Sequence, residues 1–143
     1  MKNSLDTELS PVKGFKINII AEVLQNENFR KVLYTGNHLQ LVSMNLPADQ
    51  QLGEEIHNAN DQFLRFESGQ GLCVINGHEY RVKHDDAIMI PAGAKHNIIN
   101  LSTTDALKLY TIYAPPHHKD GITRETQKEA FENPEKFDGN TSE

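Results

Sequence analysis

The sequence predicts an all-β fold, a two-sheet sandwich or barrel, and three observations carry that expectation. Apolar residues gather in short runs bounded by turn formers instead of recurring at helical spacing. Asn76-Gly77 sets side by side two residue types that tolerate positive φ, which a type I′ hairpin turn requires. Several runs are apolar at every position, among them Leu72-Cys73-Val74-Ile75 and Ala87-Ile88-Met89-Ile90. Strands covered on both faces belong to sandwiches, to barrels, or to a sheet that also packs on a second subunit, so a homodimer is expected.

In chain order, the runs read as strands are Phe15 to Leu24, Phe29 to Tyr34, Leu39 to Leu46, Glu54 to His57 and Gln62 to Glu67. They continue with Gly71 to Asn76, Glu79 to Lys83, Ala87 to Ile90, His96 to Leu101 and Ala106 to Tyr113. Leu72 to Lys83 forms a hairpin about Asn76-Gly77. Gly69 and Gly71 permit a bend after Phe66, and Pro91-Ala92-Gly93 turns the chain so that His96 re-enters on the next strand. From His117 the chain becomes polar and rich in Lys and Glu; Thr123 to Phe131 is the stretch expected to make a short helix, and Asp138 to Glu143 reads as a frayed tail. The organisation is an N-terminal arm and edge strand over 1–28, a barrel over 29–116 and a C-terminal extension over 117–143.

A length of 143 residues leaves room for one core. With 37% hydrophobic and 24% charged residues, the chain is more apolar than disordered chains and more polar than membrane proteins. A net charge of -6 with scattered basic residues leaves no footprint for a phosphate backbone, so nucleic acid is not an expected partner. No run approaches the roughly 18 apolar residues of a membrane span, and Met1 to Pro11 lacks the apolar stretch of a secretory signal. No membrane partner is expected, and the expected location is cytoplasmic. Cys73, inside an apolar run and with no second cysteine to pair with, reads as a buried, inert thiol.

Seven histidines must be sorted by position. His38, His78 and His84 stand at turns or strand ends among polar neighbours and read as solvated. His117 and His118 follow Pro115-Pro116 in a polar segment; adjacent side chains of an extended chain point to opposite faces, which makes them poor joint ligands. His57 and His96 lie next to turns in apolar surroundings. Alternation places Gln62, Leu64 and Phe66 on one face of their strand, and His96, Ile98 and Asn100 on one face of theirs. His57, Gln62 and His96 thus converge inside a β container, either as ligands of a divalent metal or as a hydrogen-bonded polar trio.

The stretch from Gly53 to Asn100 resembles a cupin, the small double-stranded β-helix (jelly-roll) family of metal proteins, of the small single-domain kind. Pro91-Ala92-Gly93-Ala94-Lys95-His96-Asn97-Ile98-Ile99-Asn100 matches the family's second motif, Pro-x-Gly-x-x-His-x-x-x-Asn, at every fixed position. The first motif runs from a Gly through a His-x-His pair to an acidic residue and a second Gly; Gly53, His57, Gln62 and Gly69 or Gly71 fall in that order. In this register Ala59 takes the place of the second His, Gln62 that of the acid, and Asp85 that of a Gly six residues before Pro91. Asn60 or Asp61 stands in reserve as a substitute ligand. The resemblance implies a divalent transition metal (Zn, Fe, Mn or Ni) at His57, Gln62 and His96, bound weakly because an amide brings no charge.

The interior lining expected to meet a small-molecule ligand is Met44, Phe66, Ile98 and Tyr113, with Leu46 and Leu64 behind them. Lys108, out of phase with Tyr113, is expected in solvent, and no Arg or Lys cluster is expected on the inner face, which counts against a phosphorylated substrate. Three function classes follow: a metal-dependent enzyme of dioxygenase or sugar isomerase type acting on a small oxygen-bearing molecule, a non-catalytic ligand-binding or sensing cupin with a degenerate metal site, and a structural dimer.

Overall fold

Runs of β-branched and aromatic residues punctuated by Gly, Asn and Asp become strands wherever both edges find partners. The computed structural model describes residues 9–143. Its strands are β1 (Arg30–Thr35), β2 (Gln40–Leu46), β3 (Glu55–Ile56), β4 (Asp61–Ser68), β5 (Gln70–Ile75), β6 (His78–Lys83), β7 (Ala87–Ile90), β8 (Lys95–Asn100), β9 (Leu107–Ala114) and β10 (Thr123–Arg124). Two short helices, α1 (Ile19–Gln25) and α2 (Gln127–Glu132), flank them. The strands make a six-stranded sheet in the order β10-β1-β2-β9-β4-β7 and a four-stranded sheet in the order β3-β8-β5-β6, with antiparallel pairing throughout. This is the double-stranded β-helix, with a short C-terminal helix.

The core lies between the sheets. Met44, Leu64, Phe66 and Leu109 come from the first and Cys73 and Ile98 from the second, all but sealed from water. Burial pushes the Cys73 thiol up to about 12, which fits an inert sulfur. Asn76 and Gly77 both take positive φ between β5 and β6, as a type I′ turn demands. Asp85 also sits in the left-handed region, at φ 72°, where the family pattern has Gly. At Gly69, φ is +94° and a Cβ would meet the Ala106 carbonyl oxygen at 2.5 Å, so both backbone freedom and the close approach of the 106–107 backbone require glycine there.

Three expectations need correction. Phe15 to Leu24 is not a strand: Asn18 caps Ala21 N at 3.1 Å, and Ile19 to Gln25 forms α1, which buries Val23. A short apolar run fits either period, and here the cap decides. α1 packs on β2, β4 and β9 from outside, so the continuous burial of β2 is completed within the chain. Asp138 to Glu143 is not frayed, because Ser142 exchanges hydrogen bonds with Thr35 and the Glu143 carboxylate accepts from Lys13 N, Gly14 N and the Tyr34 hydroxyl. Lys108 points out of the barrel, as expected, and its ammonium donates to the Leu24 carbonyl at the exposed surface. In the C-terminal extension, Thr123–Arg124 joins β1 as a strand and the helix begins only after Thr126, whose hydroxyl accepts from Glu129 N. Residues 1–8 of the N-terminal arm, and with them most of Met1 to Pro11, lie outside the described residues. Among the described residues, no helix is long and apolar enough to cross a membrane.

Candidate metal centre

Directly opposed residues in an antiparallel ladder project to the same side, and so do residues two apart on one strand. Glu55 is the ladder partner of His96 across β3 and β8, and His57 lies two residues beyond Glu55. These two rules bring a carboxylate and two imidazoles to one spot, where one donor atom from each of Glu55, His57 and His96 lies within 4.8 Å of the others. Glu55 Oε2 and His57 Nε2 are 2.9 Å apart and hydrogen-bonded. Metal bonds of about 2.0–2.2 Å separate neighbouring donors by about 3 Å, a spacing the Glu55–His57 pair already has.

The loops hold this geometry from behind. The Pro91-Ala92-Gly93-Ala94 turn closes with Ala94 N donating to Pro91 O, and Gly93 N donates to His57 O at 2.9 Å. Asp61 points away from the centre and accepts from Ala92 N, which fixes the same turn to the 57–61 loop. His96 is 4% exposed, and its Nδ1 lies 3.0 Å from the Ala94 carbonyl. Assigning the ring proton to Nδ1 from that bond leaves the Nε2 lone pair for the centre, the usual way a ligating histidine is oriented. Burial pushes the Glu55 carboxyl up, but the His57 hydrogen bond and the His57, His96 and Arg30 charges outweigh it, so its pKa falls below the ordinary value.

Gln62 is buried on β4, opposite Tyr113 of β9, and its Nε2 donates to Thr111 Oγ1 at 3.0 Å. Its Oε1 is shielded from water and has no hydrogen-bond partner among the described residues. An orphaned acceptor in this interior fits a cation site, as does a donor set of two imidazoles and one carboxylate. Met44, Phe66, Ile98 and Tyr113 are all buried in the interior as expected, and Tyr113 stands beside the centre with its ring 5.9 Å from that of His57. Desolvation raises the Tyr113 phenol well above its ordinary pKa.

The cupin-domain family matches residues 42–113, half of the chain. The chain belongs to the cupin family. It is 42% identical to the uncharacterised Bacillus subtilis protein YrkC over 135 residues, covering 90% of this cupin and 72% of YrkC. The crystal structure of a Bacillus halodurans protein superposes with a TM-score of 0.82 at 40% identity, covering 86% of this chain and 97% of that one. KdgF from Halomonas sp. shares the fold, with a TM-score of 0.57 at 19% identity over 60% of this chain and 76% of its own.

The side chains that converge on His57 and His96 include a carboxylate that sequence reasoning missed, Glu55, two residues before His57. Ala59 sits exposed on the turn after His57. The Asn60 side-chain amide donates to the Pro115 and Pro116 carbonyls, which ties the 57–61 loop to the segment after β9. The signal for Glu55 was its spacing of two from His57.

His117 and His118 are not solvated side chains. Buried Gln40 accepts from His117 N and His118 N through Oε1 and donates to the His118 carbonyl through Nε2, which lays this segment over the barrel mouth. The His117 ring centroid is 4.3 Å from that of His57, and both His117 and His118 rings lie 5.2 Å from Tyr113. Desolvation pushes His117 down to about 4 and lowers His118 further. Nothing in the polar neighbours of this segment announces burial; it follows from the clamp at Gln40, far away in sequence.

Proposed function

We propose that this cupin holds a divalent transition metal (zinc, iron, manganese or nickel) at Glu55, His57 and His96 and is a metal-dependent enzyme for a small oxygen-bearing molecule. The observation that carries the reading is the convergence of one carboxylate and two imidazoles inside the barrel. When bound, the metal supplies Lewis acidity of the kind an isomerase uses or, if it is iron, a place for dioxygen. Glu55 contributes the negative charge that balances part of the cation. His96, oriented through Ala94, presents Nε2. Gln62 offers Oε1 as a neutral fourth donor. Three charged or imidazole donors leave coordination positions for two neighbouring oxygens of a substrate. Met44, Phe66, Ile98 and Tyr113 form the apolar wall that excludes bulk water, and a drier site strengthens each electrostatic contact within it.

Elemental analysis of protein purified without an affinity tag tests the reading. It predicts about one transition-metal ion per chain, and little or none in His96→Ala. Oxygen uptake and product analysis across a small panel of diketones, phenols and sugar acids then test turnover. The alternative is a cupin that binds or senses a small molecule without chemistry, and the neutral amide of Gln62 favours it; a ligand-induced thermal shift without turnover is its signature.

A further inference from the structure

Arg30 begins β1 directly opposite Met44, which is 3% exposed, so its side chain starts out on the face turned toward the barrel interior. Among the described residues its guanidinium makes no ion pair and no hydrogen bond, and its Nε is shielded from water without a partner. His118 is 6% exposed and its Nε2 is likewise shielded and unpaired. Both line one open cleft of about 310 Å³, shared with Glu55 and His117 and bordered on the far side by the C-terminal extension at Ala130, Phe131 and Pro134 to Lys136. The nearest acid of that extension, Glu135, is engaged by Lys119 and Arg124 instead. The guanidinium rests 5.3 Å from the centre of the Phe29 ring and feels the Glu55 charge, but its donors touch no acceptor among the described residues, and an acceptor-rich anion is the group that would fill them.

We propose that Arg30 and His118 form an anion subsite that receives the carboxylate of a small organic acid beside Glu55, His57 and His96. A planar carboxylate matches the two-pronged donor face of a guanidinium. One guanidinium and one imidazole, with the Glu55 charge in the same cleft, suit a singly charged group better than a doubly charged phosphate. The cleft holds the volume of about ten liquid waters, which suits a small acid. This inference rests on the metal reading above, because the acid's remaining oxygens then face the metal-binding donors; it narrows the substrate class to organic acids.

Calorimetric titration of the full chain with gluconate, pyruvate and benzoate, each paired with a neutral counterpart (glucitol, acetone, benzyl alcohol), tests the subsite. At least one acid is expected to bind with a dissociation constant below about 10 mM and about tenfold or more tighter than its neutral counterpart. Arg30→Met is expected to lose that preference at unchanged metal content, and Arg30→Lys to recover part of it. Equal binding of acid and neutral partner, undiminished acid binding in Arg30→Met, or no binding by any acid overturns the proposal. If Arg30→Met does not fold, Arg30→Lys and His118→Gln decide, and acid affinity unchanged in both overturns it. Metal content measured on the same samples separates the two readings. Arg30-dependent acid binding in a chain that takes up no metal leaves the subsite standing without the metal; full metal with no acid binding removes the subsite alone.

Discussion

Glu55 carries the only formal negative charge among the three converging donors, so removing it leaves a cation held by neutral imidazoles and an amide. Glu55→Gln is expected to lower metal affinity by at least about tenfold, read by competition with a chromophoric chelator; affinity equal to the parent's would exclude Glu55 as a ligand. Gln62 works in the opposite sense. Its unpaired Oε1 costs little as an amide but much as a buried carboxylate. Gln62→Glu should therefore melt at a lower temperature than the parent without metal and gain more on adding metal, and a parallel shift in both states would show that Oε1 does not face the ion. His96 and the whole second motif were legible residue by residue, because ligand and turn formers lie within ten consecutive positions. Glu55 was not, because a carboxylate at the start of a two-residue strand looks like a solvated edge until its ladder partner is known.

At the level of elements, the segment after β9 behaves as a unit held by Gln40. That side chain accepts from two backbone amides and donates to Thr35 Oγ1 and the His118 carbonyl. Gln40→Leu is expected to cost about 3 kcal/mol, measured by urea denaturation, since it strands several secluded backbone groups together. The same segment sets a pH dependence. His118 faces Arg30, His117, His57 and the Tyr113 ring, and burial ahead of these charges lowers its folded pKa below the ordinary 6.5. The unfolded chain then binds a proton that the folded chain refuses, so stability is fully present above about pH 6.5 and falls by about 1.4 kcal/mol per unit below it. Unfolding midpoints at pH 7 and pH 5 should differ in the parent and differ less in His118→Gln; equal slopes would place His118 in water. Gly69→Ala is expected to cost about 2 kcal/mol or more, because the added carbon meets the Ala106 carbonyl at a positive φ. Strands of six to eight residues with clear turns were readable in the sequence. α1 was not, since Asn18 as a cap and Val23 as its buried contact become visible only against the sheet it covers.

For the whole molecule, the two-sheet barrel followed from period and turn chemistry, whereas the packing of the C-terminal extension beside Arg30 and His118 did not, because polar residues such as Lys136 and Glu135 line that cleft. The homodimer expected from two-faced strands has lost part of its support to α1, which covers β2, β4 and β9 from outside. What remains is exposed Ile56, Tyr80 and Met89 on strands at the sheet edges. Light scattering should give twice the chain mass of 16.1 kDa if those residues meet a second copy, and the chain mass itself if they do not. One ion held where β3 meets β8 is the centre of the proposed function. Crystals grown with zinc or iron(II) should show an anomalous-scattering peak within about 2.0–2.2 Å of a Glu55 oxygen, His57 Nε2 and His96 Nε2. A barrel without such a peak, its Glu55–His57 hydrogen bond intact in the presence of the metal, would contradict it.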